Sequence, residues 1–444
     1  MSLTPLEPWI RARIGGSPAA ALDRKELEAW QLERLRDTVS HARANSPFYR
    51  RLLADIEGTE LRSPADVATL PFTTPTDIRE DDLQFLCVSH DAIERVVTLR
   101  SSGTTAPAKR LHFTAADLEL TTDFFHHGMS TMVRPGDRVL ILMPGETPGS
   151  VGDLLVKGLA RLGVEGIVHG LVRDAGQVLA EIAAKRINCL VGIPVQLLAL
   201  VRHPAATTLL PGQIRSVLLS ADHVPDAVVR EISRVWGAAV FNHYGMTEMG
   251  LGGAVECSHL CGYHLREADL LVEIVDPASG ETLPDGEPGE VVFTTLTRQG
   301  MPLIRYRTGD LARFIPDPCP CGSVLRRLER VTGRLANRVR LSGGEQLTLA
   351  ELDEALLPLP FLLNFQPEFR VLAGLDVLHL TVETLEVESE QANRLILRAL
   401  LAIPALSAAF AGRRLLLGPI EQQRLAVSGS IKRTILDQRK DEPC

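Results

Sequence analysis

The stretch from Leu99 to Thr114, LRSSGTTAPAKRLHFT, sets a run of hydroxyl side chains around a freely turning glycine. Small side chains and accessible backbone N–H groups suit such a run to wrapping phosphate oxygens. It lacks the Gly, four residues, Gly-Lys-Ser/Thr spacing of the common phosphate loop. A second stretch, FNHYGMTEMG (241–250), puts an aromatic ring, a hydroxyl and a carboxylate into a glycine-containing turn after a strand. There Tyr244 can stack on a flat base, Thr247 can bond phosphate, and Glu248 can hold Mg²⁺, a hard ion that prefers carboxylate and phosphate oxygens. A third, IRYRTGD (304–310), ends beyond a β-rich segment on Asp310, a carboxylate able to accept both hydroxyls of a ribose. Each has a plainer use as well: Tyr244 as core filler, Asp310 as a turn residue, the SSGTT run as a solvated loop.

A different chemistry gathers close by. Cys257, His259, Cys261 and His264 follow the YGMTE turn, and Cys319-Pro-Cys321-Gly follows YRTGD. Thiolate and imidazole donors at these spacings suit tetrahedral Zn²⁺, which takes four ligands in a structural site. Unpaired thiols and surface histidines are the alternative. Cys87, Cys189 and Cys444 read as buried or terminal thiols.

These groups need a scaffold, and the chain is long enough for more than one core: 444 residues, 45% of them apolar. From about 135 to 248, apolar runs at 139–143, 189–193, 217–219 and 238–241 alternate with helical patterns, the rhythm of a largely parallel sheet with ligand-bearing loops at the carboxyl ends of its strands. Residues 26–45 place Leu32, Leu35, Val39 and Ala42 on one helical face ending near Ser46-Pro47. Segments 271–275 and 290–295 predict an antiparallel subdomain. A smaller unit follows, with Thr348 and Glu351 as a capping box, a strand over 377–382 and a helix over 391–402. The boundary falls near 332–336.

The net charge of −8 argues against a nucleic-acid partner, since phosphate backbones are gripped through positive charge. The longest apolar stretch, 399–412, is broken by Pro404 and Ser407 and falls short of the ~20 residues a membrane span needs. The opening MSLTPLEPWIRAR has no apolar signal core, so a cytoplasmic setting and reduced cysteines are expected.

Taken in order, SSGTT, YGMTE, YRTGD and TGRL (332–335) resemble the core motifs of the adenylate-forming superfamily of acyl-CoA synthetases. The chain is more narrowly similar to phenylacetate-CoA ligases, through SPFYRRLL (46–53), LPFTTPTDIR (70–79), GETLPDGEPGEVVFTTLTRQGMPLIRYRTGD and the terminal SGSIKRTILDQR (428–439). The resemblance implies an α/β fold: a large N-terminal ATP- and acid-binding region, 1–333, with an antiparallel β subdomain, and a small mobile α+β C-terminal lid, 334–444. It implies a ligase that uses ATP and Mg²⁺ to turn a carboxylic acid, aryl or arylacetic, into an acyl-adenylate and then passes the acyl group to CoA. Loops 142–153 and 192–196 are expected to line the acid pocket, and a homodimer is implied.

By the same resemblance, Ser101, Ser102, Gly103, Thr104, Thr105 and Lys109 attend the phosphates, while Ser220, Ala221 and Asp222, with Asn242, Tyr244 and Gly245, attend the adenine side. Asp310 and Arg334 take the ribose, and Thr247 and Glu248 serve catalysis. Some relatives of phenylacetate-CoA ligase share an EC…GxH…CxCG pattern that maps onto Cys257, His264, Cys319 and Cys321, leaving His259 and Cys261 as alternates. Four positions depart from the pattern: Ala106 follows Thr105 where glycine is usual, Asp222 stands for glutamate, Ala336, followed by Asn337, stands for an acidic hinge residue, and Ser430 for the usual catalytic lysine. Lys432, one of six lysines, is the candidate substitute, displaced roughly 6 to 7 Å along a strand. A non-CoA acceptor, or a nucleotide-binding protein without catalysis, are the competing readings.

Overall fold

The computed structural model describes residues 3–56, 60–99, 108–425 and 433–440, apart from the side chains of Ala336 and Lys440. The expected phosphate run Ser101–Thr105, and Ser430 and Lys432 of the tail, lie outside the described residues. The chain forms two compact units: residues 1–170 with 241–331, and residues 171–240 with 332–444. One change of unit falls beside the expected boundary near 332–336, and two more fall at 170/171 and 240/241.

In the first unit, the helix Arg24–Asn45 is capped by Asp23, whose carboxylate accepts the Lys25 N–H at 2.9 Å. It buries Leu27, Leu35, Val39 and Ala42 and stops before Pro47, whose ring disfavours helical backbone at Ser46. The strands Arg138–Ile141 and Glu165–Val168 pair in parallel around the helix Val151–Ala160, as their alternation with helical sequence predicts. Ile93–Leu99 and Lys109–Thr114 form an antiparallel pair in which Leu99 faces Lys109. Leu270–Val275, Gly289–Thr295 and Tyr306–Ala312 make the expected antiparallel sheet. Asp310 does not lie beyond that sheet but inside its last strand, where Gly309 takes a left-handed φ of 72° and the pairing slips between Glu290 and Val292. The bulge keeps the strand going while re-aiming Asp310.

In the second unit, Cys189–Gly192 and Ser216–Leu219 pair in parallel among the helices Ala175–Ala184, Pro194–Arg202 and Asp226–Trp236. The remainder carries the antiparallel strands Leu362–Leu372 and Leu375–Thr384, with Leu415–Gln422 and Leu436–Asp437 added in parallel on either side. Thr348 and Glu351 form the expected capping box on the helix Leu349–Leu356. Arg202 ties the two parts of the unit together, donating to the carbonyls of Leu357 at 2.8 Å and Leu359 at 2.9 Å. Among the described residues no single helix is long and apolar enough to cross a membrane; the apolar helices Ser389–Leu401 and Pro404–Ala411 meet at 99°.

Candidate active site and metal centre

Lys109 opens the strand that follows the SSGTT run, and its ammonium is buried. It forms an ion pair with Glu248 and lies 3.0 Å from the Tyr306 hydroxyl, which donates to Glu248 Oε1 at 3.1 Å. Burial, reinforced by the Glu248 charge, drives the Tyr306 phenol far up, so it remains a proton donor. Glu248 sits on the single turn Thr247–Met249, with Thr247 half-buried at its start. Two buried arginines hold this turn by its carbonyls: Arg298 donates to Glu248 O at 2.7 Å and Arg266 to Met249 O at 2.9 Å. Burial lowers the pKa of both, Arg266 to about 10.

The cluster therefore contains three residues that the motif reading passed over: Tyr306, Arg266 and Arg298. Arg298 and Tyr306 carry a signal in retrospect, because they flank an apolar run whose Met301, Leu303 and Ile304 are fully buried. Polar groups at such positions must find polar partners inside.

Tyr244 and Asp310, 66 residues apart, do come together, the Tyr244 hydroxyl donating to Asp310 Oδ2 at 3.2 Å. Tyr244 also belongs to the hydrophobic core. Gly245 is required by a close approach, since a Cβ there would meet Leu251 O at 2.3 Å. Asn242 is fully buried, and its amide and backbone N–H both donate to Glu256 Oε2 at 2.8 Å. In the second unit, Ser220, Ala221 and Asp222 follow the strand Ser216–Leu219, with Ala221 at a left-handed φ of 76°. Arg334 closes the short strand Gly333–Arg334 and is half-buried.

The sulfur-rich cluster is assembled by neighbouring strands. Ala254–Glu256 pairs with Tyr263–Leu265, Glu256 facing Tyr263, which brings Cys257 beside His264; Arg327 of the next strand faces His264. The Cys319-Pro-Cys321-Gly turn, closed by the Gly322 N–H on Cys319 O at 2.9 Å, supplies the other two thiols. All four side chains are buried, and their donor atoms lie within 4.8 Å of one another. Cys257 and Cys319 sulfurs stand 3.7 Å apart, and Cys321 Sγ lies 3.5 Å from His264 Nε2. Zn–S and Zn–N bonds of about 2.3 and 2.0 Å in a tetrahedron separate ligand atoms by about 3.5 to 3.8 Å, so the donor set fits Zn²⁺. Burial raises the Cys257 and Cys321 thiols and lowers the His264 imidazole, which keeps its nitrogen available as a ligand. Of the alternates, His259 is exposed and outside this set, while Cys261 Sγ accepts from Arg327 at 3.0 Å.

Residues 29–297 match the family profile described as AMP-binding enzyme. The phenylacetate-coenzyme A ligase of Thermus thermophilus is 30% identical over 377 residues, 82% of this chain and 83% of that one. The phenylacetate-coenzyme A ligase of Aromatoleum evansii is 30% identical over 383 residues, 84% and 83% of the two chains. Among solved structures, 2-hydroxyisobutyryl-CoA ligase in the postadenylation state is similar with a TM-score of 0.78 at 22% identity, over 95% of this chain and 91% of that one.

Proposed function

The chain belongs to the AMP-binding enzyme family, and we propose that it is an AMP-forming ligase that joins an aryl or arylacetic acid to CoA. A carboxylate oxygen of the acid attacks the α-phosphorus of ATP and pyrophosphate leaves, giving an acyl-adenylate. The CoA thiolate then attacks the acyl carbon, and AMP departs with the electrons of the cleaved C–O bond.

The observation that carries this reading is the buried Lys109 at the end of the SSGTT stretch, its charge held by Glu248 and Tyr306. Negative charge builds on the departing pyrophosphate, and donors already in place stabilise it with little reorganisation. Lys109 offers a cation, Thr247 a hydroxyl, and Ser101, Ser102, Gly103, Thr104 and Thr105 the remaining donors. The ammonium of Lys109 also marks where a positive charge sits against Glu248. That carboxylate would hold Mg²⁺, which supplies charge neutralisation of the phosphates when bound.

On the adenine side this reading assigns Asn242, Tyr244 and Gly245 in the first unit and Ser220, Ala221 and Asp222 in the second. Asp310 and Arg334 are assigned to the ribose, and Lys432 to the bridge between acid and phosphate. Residues 334–444 are taken as the lid domain and 1–333 as the body. Cys257, His264, Cys319 and Cys321 would hold a structural Zn²⁺, fixing the Cys319 turn against the Tyr263–Leu265 strand. The setting proposed is a cytoplasmic homodimer without nucleic-acid partners.

Incubation with ATP, Mg²⁺, CoA and a panel of aromatic acids is expected to yield AMP and acyl-CoA in equal amounts. ADP in place of AMP, or no thioester with any acid, contradicts the proposal.

A further inference from the structure

The terminal motif contains two arginines, Arg433 and Arg439, for which the reading above has no task, and Arg433 is the one that reaches a residue assigned to the adenine. Its guanidinium, 12% exposed, lies within the second unit and makes three charge-assisted hydrogen bonds. Nη1 and Nη2 donate to the two oxygens of Asp353 at 2.8 Å each, and Nε donates to Asp222 Oδ2 at 3.0 Å. Asp353, wholly buried, sits on the helix Leu349–Leu356; Asp222 sits in the turn after Ser216–Leu219. Burial by itself would lower the Arg433 pKa, but the two carboxylates raise it, so the group stays charged.

The next residue of the same helix, Glu354, accepts the Asp226 N–H at 3.0 Å and lies 3.4 Å from His223 Nε2. The 220–226 turn is thus held by two consecutive helix residues, Glu354 directly and Asp353 through Arg433. Beside Asp222, Ala221 has a φ of 76°, a left-handed conformation that costs energy for a residue with a Cβ and persists where its surroundings impose it. Apolar packing anchors a tail as firmly as a buried ion pair does, so adhesion alone gives no reason for a cation here. What the planar guanidinium fork adds is orientation, since it donates to its two carboxylates in one arrangement.

We propose that Arg433 is a positioning residue for ATP: by fixing Asp222 it holds the left-handed turn at Ala221 in the shape that receives the adenine ring, and joins that turn to the C-terminal tail. The proposal rests on the assignment of 220–222 to the adenine in the reading above. A positioning role separates from a merely structural one in two readouts, the KM for ATP against the KM for the acid, and the preference for ATP over GTP.

The test is acid-dependent exchange of pyrophosphate into ATP or GTP by the full chain, comparing wild type with Arg433→Met, Arg433→Lys and Asp353→Asn. Arg433→Met is expected to raise the KM for ATP tenfold or more and to cut the ATP-over-GTP preference by a similar factor, with the KM for the acid within twofold. Arg433→Lys should fail to rescue either, because an ammonium lacks the fork. Asp353→Asn, which weakens the bidentate pair without touching a residue assigned to ATP, should shift both quantities in the same direction and less, and it decides the matter if the Arg433 variants do not fold. Unchanged ATP KM and base preference in folded variants would overturn the proposal, as would a parallel rise of both KM values with a lowered Tm. Wild-type protein that exchanges with no acid overturns the parent reading, and this inference with it.

Discussion

Around Glu248, buried charges satisfy one another: Lys109 is its counter-ion and Tyr306 its neutral donor. Around Cys319, three thiols and an imidazole face one another with only weak donors among them. Both clusters lie in the first unit, buried, within one fold, yet they meet the cost of burying polar groups in opposite ways. The first balances its charges with side chains already present. The second would be completed by an ion held by three thiolates and one imidazole, and would have no reason to change once filled. The difference separates chemistry from architecture, and each side of it can be broken.

The largest effect is expected from Glu248→Gln. It strands the Lys109 charge in the interior, a loss of about 3 to 5 kcal/mol for a broken buried pair, visible as a fall in the urea midpoint, with exchange activity down a hundredfold or more. Adding Lys109→Met should recover most of the stability and none of the activity. A single variant within about 1 kcal/mol of wild type would show the pair to be no stronger than a surface contact.

Cys319→Ser comes next. Zinc measured by plasma emission is expected to fall from about one per chain to near none, with a lower Tm and exchange per folded molecule within about threefold of wild type. Wild-type protein isolated without zinc from zinc-supplemented cells would remove the metal from the account. Tyr306→Phe deletes one donor to Glu248 and should cost about 1 to 3 kcal/mol, leaving zinc content untouched.

Acid should weaken the fold through a third buried group. Burial, aided by Arg266, depresses His243 to about 4, whereas the unfolded chain protonates near 6.5. The unfolded state binds more protons between those values, so stability falls as the pH drops from about 6.5 to about 4. Denaturation midpoints across that range test this, and His243→Gln should flatten the slope. The smallest effect is expected for Cys261→Ser, which should keep about one zinc per chain, because Cys261 serves Arg327 instead.

Local features were readable in advance where the cause is local. The Thr348 capping box needs only two side chains three residues apart, and it forms as expected. The metal donors could be picked out because cysteines and histidines are scarce and closely spaced, although choosing Cys257 and His264 over Cys261 and His259 rested on family likeness that the strand pairing now supports. Long-range pairings were not readable. Nothing within the sequence around Lys109 announces a partner 139 residues away, and Arg433 shows no sign of meeting Asp222 and Asp353. The sequence reads Asp310 as lying beyond a β-rich segment, whereas the left-handed backbone of Gly309 makes a bulge and the strand runs on through Asp310.

The central claim is adenylation of a carboxylic acid, and its most direct measurement is exchange of labelled pyrophosphate into ATP without CoA. Label is expected to enter ATP only when an aryl or arylacetic acid is added, and Glu248→Gln should abolish that entry. Label entering ATP equally without acid, or never entering with any acid tested, would contradict the account.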